Sequence, residues 1–187
     1  MSILKRLFGT LAGDGEGRPE SEVEAIRRIA GELEALEPER ARYVAAFAYL
    51  LSRVANADLS VSEEETFKME RILHALGHLP ADQAALAVQI AKAQNRLFGG
   101  TENFLVTREF KELATREQCV ELMDCLFAVS AADESITGAE ETQIRQIASE
   151  LGFSHAEYVQ ARSAYNDKRE ILKGLPGRPQ TSNPDLQ

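Results

Sequence analysis

Residues 56–65, Asn56-Ala57-Asp58-Leu59-Ser60-Val61-Ser62-Glu63-Glu64-Glu65, and residues 131–140, Ala131-Ala132-Asp133-Glu134-Ser135-Ile136-Thr137-Gly138-Ala139-Glu140, are one pattern written twice. With the chain shifted by 75 residues on itself, Asp, Ser, Val/Ile, Ser/Thr and Glu fall in register. Each copy ends in a capping box, Ser62/Glu65 and Thr137/Glu140. There a hydroxyl accepts from the third helical amide and the acid three residues on reaches back. Each copy therefore reads as the corner between two helices. The match extends to both sides. Downstream, Met69, Ile72, Leu73 and Leu76-Gly77 face Ile144, Ile147, Ala148 and Leu151-Gly152, one helical face ended in both units by a C′ glycine. Upstream, Leu51 and Val54 face Leu126 and Val129.

From these corners the rest of the chain divides into helices. Further capping boxes stand at Ser21/Glu24, Thr115/Gln118 and Ser154/Glu157, and Pro38 and Pro80 sit where a first helical turn has no amide to satisfy. The signals predict helices at 20–37, 38–57, 62–76, 80–97, 102–113, 116–132, 137–151 and 154–173. Phe47, Leu50, Leu51 and Val54 share one face, as do Leu86, Ile90, Ala93 and Leu97. Strand signals are nearly lacking. The expected fold is an all-α compact bundle of two pseudo-symmetric three-helix repeats, 38–97 and 116–173, inside a domain spanning 20–173.

The ends read differently. Ile3, Leu4, Leu7, Phe8 and Leu11 form an apolar stripe opposite Lys5 and Arg6, followed by a Gly-rich linker, so 1–19 is an amphipathic segment plus linker. It is too short and too weakly basic to hold a membrane alone. Residues 174–187, rich in Pro, Gly, Ser and Asn, read as a disordered tail.

Composition restricts function. In a chain of 187 residues, 44% hydrophobic and 27% charged residues are those of a globular domain. The net charge is -9; residues 1–19 carry +1 and 162–187 carry +2, which leaves -12 on the folded part. Such a field repels phosphate backbones, so no nucleic-acid partner is expected and a cation is the natural ligand. With neither a secretory leader nor an apolar span, the chain reads as cytoplasmic with reduced thiols. Cys119 and Cys125 lie about 240° apart around one helix and cannot bridge locally.

The pattern Ala-Asp-x-x-Val/Ile-Ser/Thr-x-x-Glu, duplicated in an acidic all-helical chain with a short basic-amphipathic start, resembles the TerB family of tellurite-resistance proteins over about residues 40–165. A TerB-like domain also opens a membrane-anchored DnaJ-type co-chaperone. The resemblance implies a compact helical domain of bacterial stress-response operons with no enzymatic activity. It further implies acidic residues that chelate metal, and membrane and calcium-binding partners. A place in the cytoplasm, peripheral to the inner membrane, goes with it; homo-oligomerisation is left open.

The acidic corners admit two readings. In one, Ser62/Glu65 and Thr137/Glu140 only cap helices, Asp58 and Asp133 only bond nearby amides, and the chain is an interaction scaffold for a membrane or chaperone partner. In the other, the corners bind a divalent cation of the calcium or magnesium class, with Asp58 and Asp133 as first ligands and Glu65 and Glu140 as second. Each Asp follows a helix C-terminus, whose negative end favours a cation, whereas each Glu sits at a positive N-terminus. Neither corner is an EF-hand. Its twelfth position needs a bidentate Glu and finds Met69 or Ile144, and Glu63 occupies the place of the turn glycine in the first copy. His74 and His78 have zinc-pair spacing, but no Glu accompanies them and Gly77 ends the helix between them. His155 has no Ser or Cys partner, and Gly99-Gly100 makes no phosphate loop, so catalysis has no support.

Overall fold

The structure is a computed structural model that describes residues 20–54, 63–94, 103–132 and 134–169. Along these run eight helices: α1 Glu20–Glu34, α2 Pro38–Val54, α3 Glu63–Ala75, α4 Ala81–Gln94, α5 Asn103–Leu113, α6 Arg116–Ser130, α7 Gly138–Leu151 and α8 His155–Ser163. Among the described residues there is no strand, only one isolated parallel bridge between Ile136 and Arg169. The fold is all-α, as the start signals required. The boxes at Thr115/Gln118, Thr137/Glu140 and Ser154/Glu157 are formed in both directions. Ser62 and the Ser21 side chain lie outside the described residues.

The core is built around α2. Every residue from Tyr43 to Val54 is buried, so this part of the helix has no solvent face, and α1, α4, α5, α6 and α7 pack around α2. Its alanines, 41, 45, 46 and 48, allow that close approach from several sides, and Tyr43, Phe47 and Phe110 fill the space between α2 and α5 with ring centroids 5.3–6.1 Å apart. A second aromatic group, Phe127, Tyr158 and Tyr165, seats α8 and the segment after it on α6.

Helix α3 packs on α6, and α7 packs on α2. The third helices of the two predicted units do not correspond. Helix α4 packs along α2, α3 and α1, whereas α8 is nine residues long and lies on α6. The expected helix over 154–173 stops at Ser163. Tyr165, Asn166 and Lys168 then donate to the carbonyls three residues back, so the chain tightens into turns through Asn166-Asp167, residue types that favour leaving a helix.

The two glycines that stop α3 and α7 also differ. Gly152 is left-handed at φ 83°, and the Phe153 and Gly152 amides donate to the carbonyls of Ala148 and Ser149. In the first unit the left-handed residue is His78, at φ 49°. Gly77 is required there for closeness. A Cβ on it would stand 2.7 Å from the Leu73 carbonyl oxygen, 3.1 Å from Cys125 Sγ and 3.3 Å from Phe47 Cζ.

Candidate functional site

The second corner is described on both sides of Asp133. Helix α6 ends at Ser130, and the amides of Ala131 and Ala132 fold back onto carbonyls of its last turn. Glu134 is left-handed at φ 64°, unusual for a residue with a Cβ, and its amide donates to the Ala131 carbonyl at 3.0 Å. Ile136 then turns its side chain inward, 1% exposed, and its amide donates to the Lys168 carbonyl at 2.8 Å. Thr137 starts α7. The negative end of α6 and the positive end of α7 thus face each other across the seven residues 131–137.

Of the four predicted ligands, Glu140 is engaged in the cap. Its Oε2 accepts from the Thr137 amide and from Thr137 Oγ1, both at 2.8 Å, while its own amide donates to that hydroxyl at 3.2 Å. Glu65 stands in the first turn of α3. Asp58 and Asp133 lie outside the described residues. Among the described residues no group of three or more His, Cys, Asp or Glu side chains is arranged to hold a metal ion. Because the capping box satisfies two backbone donors at the start of α7, Thr137→Ala should lower the unfolding free energy by about 1 kcal/mol, or roughly 2–4 °C in melting temperature. Thr137→Ser should restore it in the same melt.

Each corner is bordered by a buried guanidinium that the helical pattern does not announce. At the end of α2, Arg53 Nη1 donates to Thr107 Oγ1 and to Glu150 Oε2, both at 2.8 Å, and Thr107 Oγ1 donates to the same carboxylate oxygen at 2.6 Å. Gln146 Nε2 completes the set at 3.0 Å, so one carboxylate ties α2, α5 and α7. Burial pushes the Glu150 carboxyl up, but Arg53 and Thr107 outweigh it and hold it below the usual range. Beside the second corner, Arg169 grips Glu141 through Nε and Nη2 at 2.8 and 2.7 Å, and Arg162 adds a third bond at 3.1 Å. Burial raises Glu141 too, and the two guanidiniums again bring it down. In sequence, the signal for both was a base next to an apolar helical face; its partner lies tens of residues away.

The remaining candidates separate. His74 Nδ1 sits 2.7 Å from the Leu79 carbonyl and His78 Nδ1 lies 3.0 Å from Glu121 Oε1, so each histidine is turned to its own partner. Both cysteines are buried free thiols, and burial pushes Cys125 up to about 12, far from a reactive thiolate. No helix among the described residues is long and apolar enough to cross a membrane.

The all-helical bundle, with the cap at Thr137/Glu140 formed at its second acidic corner, is a helical domain of the tellurite-resistance class. The family described as Tellurite resistance protein TerB matches residues 43–163, and the chain belongs to that family. Comparison with the curated proteins and with the solved structures gave no significant match.

Proposed function

We propose that this chain is a non-enzymatic stress-response module of the tellurite-resistance type whose acidic corners take a divalent cation of the calcium or magnesium class. Asp58 and Asp133 are the first ligands. Glu65 and Glu140 rank second, and Glu140 Oε2 already serves the cap. The observation that carries the reading is the disposition of charge at the second corner. The acidic turn follows directly on the negative end of α6, where backbone carbonyls point toward it. A cation there meets carboxylate and carbonyl oxygens, the donors that hard divalent ions prefer. The protein works in the cytoplasm, peripheral to the inner membrane, beside a protein partner.

A second reading, a scaffold for a membrane or chaperone partner without metal, draws on Phe67 and Phe104, which are 61% and 58% exposed. Thermal unfolding separates the two. Calcium, magnesium, manganese or zinc at about 100 times its dissociation constant should add roughly 2.7 kcal/mol to the wild type and nothing to Asp58→Ala/Asp133→Ala. Equal response of the two proteins leaves the scaffold.

A further inference from the structure

We infer that residues 164–169 form a latch over the second corner, closed by Arg169 on Glu141 and able to open while the helical bundle stays folded. The segment is tied to the bundle through Arg169, Lys168 and Tyr165. Arg169 pairs with Glu141 in two-pronged geometry, the Lys168 carbonyl accepts from the Ile136 amide at 2.8 Å, and Tyr165 stacks on Phe127 at 5.5 Å with its hydroxyl directed to the Asp124 carbonyl. Only Tyr165 brings an apolar surface to the core. The rest is polar. A segment held mainly by a few polar bonds opens more readily than one held by buried apolar area, so its opening is separable from global unfolding.

The internal repeat shows that the tie is specific to this corner. Shifted by 75 residues, Glu141 corresponds to Thr66 and Arg169 to Gln94. In the first unit a base of the third helix also reaches that position, Lys92 Nζ donating to Thr66 Oγ1 at 2.9 Å. That bond lies within packed helices, since α4 runs unbroken from Ala81 to Gln94 against α2 and α3. In the second unit the helix has ended six residues before Arg169, and the neutral acceptor is a carboxylate. A helix-to-helix contact has become a charged clasp on a turn, and the bridge it supports passes through the backbone of the corner itself.

Closure of the latch fixes Ile136 and, through it, the corner that carries the left-handed Glu134. Opening frees both. The inference does not depend on the corner binding a cation, and its test runs on the full metal-free chain. Amide hydrogen exchange at neutral pH compares the wild type with Arg169→Gln and Glu141→Gln. Both variants should speed exchange at Ile136 by about ten-fold or more while Leu50, in the middle of α2, keeps its rate within about two-fold. Unchanged Ile136 exchange overturns the inference. So does equal acceleration at Leu50, or failure of either variant to fold, because a latch must open with the bundle intact.

Discussion

Arg53→Ala is expected to cost about 3–5 kcal/mol, a large part of what a domain of this size has to lose. The reason is the group left behind. Glu150 is 11% exposed at its side chain and, without Arg53, keeps only Thr107 and Gln146 as donors among the described residues. A buried carboxylate stripped of its counter-ion costs more than the pair contributes when intact, so Arg53→Met with Glu150→Leu should be milder than either single change. Urea unfolding of the three proteins reads this directly; a single-variant loss under about 1 kcal/mol contradicts it. The pH dependence has a defined sign. The carboxyl of Glu150 is held below its usual 4.5 in the fold, so its contribution is present above that value and lost as pH falls through the depressed one. The gap between wild type and Arg53→Ala should therefore narrow on acidification from neutral pH.

Phe47→Ala should cost about as much, roughly 3–5 kcal/mol, with a fall in melting temperature on the order of 10 °C. Phe47 is fully buried in the middle of the helix that the bundle's two most extensive helix pairings share, and it meets Tyr43, Phe110 and the Gly77 backbone. The cavity has little freedom to close, because α2 is fixed on several sides by its neighbours. Phe67→Ala is the matched control. That ring is 61% exposed, and its loss should change stability by less than about 0.5 kcal/mol. A comparable loss at the two positions would contradict the placement of the core.

The helices were legible because their starts are local. Thr115, Thr137 and Ser154 cap as read, since a capping box involves only four consecutive residues and their own amides. The central position of α2 was less legible: Phe47, Leu50, Leu51 and Val54 announce one face, while the alanines between them are equally buried and carry little pattern of their own. Tertiary contact decided what periodicity did not. The same holds for α8. Its sequence runs on with helix-compatible residues, and Asn166-Asp167 is a weak stop, but Arg169 gains a two-pronged carboxylate only if the chain turns back toward Ile136. Arg53 with Glu150 and Arg169 with Glu141 are separated by 97 and 28 residues, a pairing that no local spacing encodes. For the candidate site, the cap at Glu140 was readable in the sequence and is formed, whereas Ser62, the predicted cap partner of Glu65, and both aspartates, Asp58 and Asp133, lie outside the described residues.

The central claim, that the acidic corners take a divalent cation, is most directly tested by following backbone amide resonances of the full chain during titration with calcium and with magnesium. Saturable shifts at Glu134, Ser135 and Ile136 for at least one ion, lost in Asp58→Ala/Asp133→Ala, are the predicted result. Resonances of the corner that stay in place up to millimolar concentrations of both ions, or that move identically in the variant, would contradict it.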